Sequence, residues 1–482
     1  MRPSRLFALA GLLVLSLGAL ARSYPRLSPG MFNWAEPGNV AAALVQGRGF
    51  SDPFDGGTGA TAWVSPLPVW VLAGAFLVFG TKTAAAAKAM LVVSVAGLAA
   101  ANALLLSALA PFGPWMRRVA SVAFLAYSVL LPGGPVEVLS EAWLDLLLSA
   151  LLLWAVLETR RSPRPASAAA LLAAALLAPL DNAGLALATG LLLLMLLWAP
   201  RPSPGRAWVP AAALAAACLS VGLWTARNFA AMGRFIPLKS NLWFELHLAN
   251  VDAADGLPRM ETVMRRLPYF DVSEFNRYSS LGEVRYVASF QGPAVAAIRA
   301  DPLHFAGNIL RRLEAAAVFC RREGGGAFTQ HAFPAPDAAR LAASGELIPA
   351  GPSGGLWTRI DAPVEAEEAR LRSLGLADLG GAWADWSAKR LDYDARFRGL
   401  SGTLVGYLTA GVPVAALLIA ALLSGGRLPA PAIFAFVMGA CMLLPFVIIN
   451  HNDRHQLPLL AVQSVALGAC AQAWADRRGK KP

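Results

Sequence analysis

Residues 84–118 read AAAAKAMLVVSVAGLAAANALLLSALAPFGPWMRR. Within the apolar run 84–110 only Lys88 is charged, and the run ends on Pro-Phe-Gly-Pro followed by Arg117 and Arg118. A run of that length exceeds the ~20 residues needed to cross the ~30 Å hydrocarbon core of a bilayer, and a basic pair at its end marks the cytoplasmic side. Similar runs lie on either side. They fall at 6–21, 119–132, 139–157, 165–180, 184–200 and 207–225, so that seven crossings are expected before residue 226. Three more are expected at 401–424, 430–449 and 456–474. Across all 482 residues, 56% are apolar and 15% charged. An ordinary soluble domain is ~45–50% apolar and ~25% charged, so the composition excludes a typical soluble enzyme and points to an all-α polytopic membrane protein.

The net charge of +11 follows the same plan. Six short segments (1–5, 111–118, 158–164, 201–206, 425–429 and 475–482) hold 14 of the Lys and Arg residues, opposed only by Glu158 and Asp476. A nucleic-acid partner would call for one basic stripe. Here the cations flank apolar runs, so no nucleic acid is implied, and both termini are expected in the cytoplasm. Ala19-Leu20-Ala21 has the form of a signal-peptidase site, but the number of later spans favours an uncleaved first crossing. Cys218, Cys320, Cys441 and Cys470 contain no C-x-x-C pair, which supports neither a disulfide framework nor a thiolate metal site.

Three blocks result. Residues 1–225 form a transmembrane module with an outer loop at 22–65. The 15 apolar residues of 66–80 rise only ~22 Å as a helix, and are read as an interfacial or re-entrant helix. Residues 226–400 form an outer region. A helix near 303–322 there sets Phe305, Ile309, Leu310 and Leu313 against Arg311, Arg312 and Glu314, a pattern suited to a membrane surface. Residues 401–482 hold the last spans and a basic tail.

Polar groups at the outer side carry the chemistry. Glu36, in Asn33-Trp34-Ala35-Glu36-Pro37-Gly38-Asn39, is placed to act as general base on an acceptor hydroxyl or amine, although position alone favours a helix-start acid, because Glu before Pro-Gly is common in exposed loops. Glu137, Glu141 and Asp145 recur every four residues and share one helix face, too costly to point at lipid. Asp181 occupies another outer turn, where capping is an equal reading. Arg227, Lys239, Arg454 and His455 form an outer basic set suited either to a phosphate or to lipid head groups. His451 and His455 have no nearby third ligand and give a weak zinc signal. No Walker A loop, strand-borne G-x-G-x-x-G or H-E-x-x-H occurs.

The order of several motifs resembles the bacterial GT-C glycosyltransferases, integral membrane enzymes similar to protein O-mannosyltransferases and lipid A aminoarabinose transferases. The acidic loop is followed by Gln46-Gly47-Arg48-Gly49-Phe50-Ser51-Asp52-Pro53-Phe54, then Thr58-Gly59-Ala60-Thr61-Ala62-Trp63, Pro66-Leu67-Pro68 and Phe79-Gly80. Trp224-Thr225-Ala226-Arg227-Asn228-Phe229 runs on to Gly233-Arg234-Phe235-Ile236-Pro237-Leu238-Lys239-Ser240-Asn241, and Gly282-Glu283 and Arg454-His455-Gln456-Leu457-Pro458 are weaker echoes. The resemblance implies a GT-C-like seven-span module and sugar transfer from a polyprenyl-phosphate donor to a lipid, glycan or protein acceptor at the outer face of the inner membrane. It also implies that Glu36 is the base. The family often has Asp or Asp-Glu in that place, and a Lys-Pro-Pro phosphate contact of the aminoarabinose transferases gives way here to Val64-Ser65-Pro66, which turns attention to Arg227, Lys239 and Arg454. Some members of the wider fold use a divalent metal; this sequence shows no clear metal cage, and no organic cofactor is called for. The rival reading is a transporter or flippase for a lipid-linked or anionic substrate. Transporters usually bind near the midplane between related halves, whereas polar groups here gather at one face.

Overall fold

The computed structural model describes residues 3–22, 36–130, 141–162, 164–198, 208–253, 256–258, 263, 266–268, 271–317, 327–332, 348–349, 355–360, 416, 419–426, 428–449 and 459–479. It is a helical bundle: α1 (Pro3–Arg22), α2 (Glu36–Val45), α3 (Pro66–Phe79), α4 (Ala84–Leu109), α5 (Pro114–Leu130), α6 (Ala142–Arg161), α7 (Pro165–Leu177), α8 (Ala183–Trp198) and α9 (Trp208–Met232) come first. The short helices α10 (Leu242–His247), α11 (Val272–Leu281), α12 (Glu283–Ser289), α13 (Gln291–Ala300) and α14 (Pro302–Ala317) follow. Three strands, β1 (Ala327–Ala332), β2 (Ile348–Pro349) and β3 (Gly355–Ile360), form a small antiparallel sheet with β3 in the middle. The bundle closes with α15 (Ala430–Ile448) and α16 (Leu460–Gly479).

Helices stand at each of the seven positions expected before residue 226, but only part of that set has spanning dimensions, and the one at 119–132 (Pro114–Leu130) is not among the apolar helices of spanning or near-spanning length. Ala84–Phe112, Ala142–Arg161, Trp208–Met232 and Ala430–Ile448 are long and apolar enough to cross a membrane. Leu9–Ala21, Pro165–Leu180 and Ala183–Trp198 are apolar but shorter. The expected span at 401–424 falls mostly outside the described residues. The outward side chains fit a lipid environment: Leu13, Leu77, Val92, Val122, Leu223 and Phe436 all lie more than half exposed. In water such a surface would be an aggregation hazard.

The two ends of the bundle differ in chemistry. Gln472 of α16 accepts from the backbone N–H groups of Trp115 and Met116 at the start of α5 (3.1 and 3.3 Å), and Arg161 at the end of α6 reaches the carbonyl of Ala108. Arg117, Arg118, Arg160, Arg161, Arg477 and Arg478 therefore share one end. The opposite end holds the loop 46–65, the first turn of α6, the α7–α8 turn and the end of α9. Asn182 in that turn donates to Asp145 of α6, and Arg227 of α9 reaches the loop.

Small residues let the helices approach, as expected where lipid supplies no hydrophobic drive between them. A Cβ on Gly468 of α16 would lie 2.3 Å from the carbonyl oxygen of Met116, and one on Gly184 of α8 would lie 2.5 Å from the Cα of Met442. Gly468→Val is therefore expected to cost ~1–3 kcal/mol through overpacking. The check is the thermal midpoint in detergent, which should fall while Gly190→Ala, in open space, leaves it unchanged.

Helix α9 runs to Met232 instead of ending near 225, so Arg227 and Asn228 are helical residues. They do not terminate the helix because their side chains are satisfied outside it. Asn228 donates to the Ile236 carbonyl at 2.9 Å, and Trp224 Nε1 to that of Leu238 at 2.9 Å. Both tie the returning segment 233–240 back onto the helix.

Candidate functional site

The loop 46–65 is the wall of the site. Gly47 and Gly49, at φ of 76° and 74°, adopt the left-handed conformation that turns the chain after α2. Asp52, buried, pairs with Arg48, accepts from Gly59 N at 3.0 Å and exchanges backbone bonds around the Ser51–Ala60 bridge. Asn39 of α2 donates to the Pro53 carbonyl at 2.9 Å, and its Oδ1 accepts from Lys82 Nζ at 2.7 Å. Burial pushes the Lys82 ammonium below the usual lysine range, partly opposed by Asp55. Lys82 follows α3 and Ser65 precedes it, so both ends of α3 lie against the same loop.

Two residues remote in sequence hold the loop in place. Arg227 donates to the carbonyls of Thr61 (2.7 Å) and Phe50 (2.5 Å), and its guanidinium lies 5.2 Å from the Phe50 ring centroid and 5.1 Å from that of Trp224. Glu283, fully buried at the start of α12, accepts from the Thr61 hydroxyl, from Ala62 N at 2.8 Å and from the Tyr278 hydroxyl at 2.8 Å. Burial raises the Glu283 carboxyl above the ordinary glutamate range even though these donors favour its charged form. Ser240 N adds a bond to the Ala62 carbonyl, and Trp63 packs among Phe54, Phe244, Tyr278 and Tyr286.

Two cavities meet on this frame. An apolar one of about 520 Å³ is lined by Leu44, Trp70, Leu176, Leu180, Leu219 and Leu223 among others. A polar one of about 430 Å³ is lined by Arg48, Ser51, Asp52 and the glycines of the loop. Phe50 and Arg227 line both.

The residues singled out from the sequence fall into three groups. Glu36 opens α2, half-buried, in the first turn where the helix dipole favours an anion. Asn39 lies three residues on, on the same face, with Lys82 bound to it. Asp145 and Asp181 are brought together, buried, with Asn182 bonded to Asp145, while Glu141 is exposed beside them and exposed Lys239 is near enough to act on both carboxyls. Glu137, Arg454, His455 and His451 lie outside the described residues. Among the described residues no group of three His, Cys, Asp or Glu side chains could hold a metal ion.

Asn39, Lys82 and the loop-anchoring role of Glu283 are not evident from the sequence. Lys82 sits in a two-residue turn with no motif, and Glu283 acts on a partner 222 positions away. No family model matches the chain, and no curated protein and no solved structure is significantly similar to it.

Arg227→Ala is expected to leave the carbonyls of Phe50 and Thr61 without their donor and to loosen the wall shared by both cavities. The check is limited proteolysis of the loop 46–65 in detergent, which should be cut faster in the variant than in the wild type.

Proposed function

We propose that this chain is a membrane glycosyltransferase that moves a sugar from a polyprenyl-phosphate donor to an acceptor, at the end of the bundle that carries the loop. The observation that carries the reading is the junction of an apolar cavity with a polar one at Arg227. A ligand that fits both is part long hydrocarbon and part polar head, with an anionic group favoured where the cation lies. Such a donor brings its own leaving group, which agrees with the absence of nucleotide-binding motifs from the sequence.

In this mechanism the acceptor oxygen or nitrogen attacks the anomeric carbon of the sugar. Its proton passes to the Glu36 carboxylate, the bond from the anomeric carbon to the phosphate oxygen breaks, and polyprenyl phosphate leaves with the electron pair. Arg227 is already committed to two loop carbonyls, so it contributes its field and the position of the wall. Lys239, exposed at the same end, supplies a further cation, while Arg48 is held by Asp52 and Gln46. By the positive-inside rule the Arg-rich end faces the cytoplasm, which puts the site at the outer face.

The test is incubation of the purified protein in lipid with labelled polyprenyl-phosphate sugars and a membrane extract as acceptor source. Label recovered in a lipid, glycan or protein product supports transfer. Label that crosses the bilayer chemically unchanged supports a transporter and overturns the proposal.

A further inference from the structure

Helix α14 is folded inside out. Leu303, Leu310 and Leu313 stand on one face, 83%, 65% and 46% exposed, with Ala306 between them. Their spacing of seven and three residues keeps them on one stripe. The opposite, inward face holds Asn308 and Arg312, both fully buried. The sequence had paired Arg312 with the polar, solvent-facing side of this helix, and the structure reverses that assignment.

The buried arginine explains the inversion. Its Nε donates to the Gly256 carbonyl at 2.8 Å, Nη1 to those of Val447 (3.3 Å) and Ile448 (2.8 Å), and Nη2 to the Ala249 carbonyl (2.9 Å) and Asn250 Oδ1 (2.7 Å). Five N–H groups meet five acceptors, so the guanidinium is satisfied without a carboxylate. Two of those acceptors are the last carbonyls of α15, a helix of spanning length. Arg312 thus fixes α14 at the level where α15 ends. There Leu444 and Ile448 are themselves 51% and 39% exposed, as lipid-facing side chains of a membrane span are.

We infer that α14 is seated in the outer leaflet of the bilayer, with Leu303, Leu310 and Leu313 among the upper acyl chains. The apolar stripe continues the lipid-facing surface of α15, which identifies the occupant as lipid. Arg299, His304 and Arg311, all exposed, flank the stripe, and the two arginines suit lipid phosphates at head-group height. This inference does not depend on the transferase reading, since it needs only the membrane and the position of α15.

The experiment uses the full chain with its four cysteines replaced and a single cysteine placed at Leu303, Leu310 or Leu313, labelled with an environment-sensitive fluorophore. Each protein is reconstituted in nanodiscs with or without lipid bearing a nitroxide near the head-group end of the acyl chain. A label at Arg285, exposed on α12, gives the aqueous reference, and one at Val92, outward on α4, gives the lipid reference. The three leucine positions should be quenched several-fold more than position 285. Quenching equal to position 285 overturns the inference. So does blue-shifted but unquenched emission, which would mean that protein covers the stripe, either another segment of the chain or a second copy.

Discussion

On the proposed transferase reading, Glu36→Gln is expected to lower sugar transfer by about 10²–10⁴-fold, the usual contribution of a general base. The substitution keeps shape and hydrogen-bonding capacity at the first turn of α2 but removes the proton acceptor. The fold should survive, because the substitution leaves in place the bonds by which Asn39, Asp52 and Lys82 hold the neighbouring loop. Losing a carboxylate from the helix start costs at most about 2 kcal/mol of dipole interaction at this half-buried site. The measurements are single-turnover transfer and thermal midpoint side by side. An unchanged transfer rate removes Glu36 from the chemistry, while a parallel collapse of both quantities shows a structural role.

Glu283→Ala is expected to have the largest effect on stability. It leaves the Thr61 hydroxyl, the Ala62 N–H and the Tyr278 hydroxyl without their shared acceptor in a buried place, at a cost of roughly 3–5 kcal/mol. Glu283→Gln should be far milder, since its amide oxygen still accepts from Ala62 and the two hydroxyls can rotate to accept from its NH₂. The pH dependence separates the two further. The carboxyl is raised in the folded protein, so the stability it contributes is complete below the ordinary glutamate range and is lost as pH rises through the folded value. Wild type should therefore lose part of its stability as pH climbs out of that range, and Glu283→Gln should lack this component. A slope of the same size in the Gln variant sinks the assignment.

How much of this was legible in the sequence depends on the range of the interaction. The run 84–110 matches α4 within a residue, because the apolar composition and the Pro-Phe-Gly-Pro break after it are local signals. The end of α9 is not legible locally, because Arg227 and Asn228 are polar and their partners at Thr61, Phe50 and Ile236 come from distant or looped chain. Periodicity placed Leu310 and Leu313 on one face of α14, but it cannot say which face turns inward. That choice is made by five acceptors spread from residue 249 to residue 448. The acids Asp145 and Asp181 each stand out in the sequence, but their meeting needs the α6–α7 hairpin to return the chain to its own starting height.

The apolar cavity beside Arg227, at about 520 Å³, is the size of a pocket for a drug-like molecule. On the proposed reading a polyisoprenoid tail of many units greatly exceeds it, so that only the units nearest the phosphate would find walls of protein and the remainder would stay dissolved among neighbouring lipids. Discrimination by tail length should accordingly be weak: short synthetic analogues ought to serve nearly as well as full-length carriers, whereas a change in saturation next to the phosphate should be felt at once.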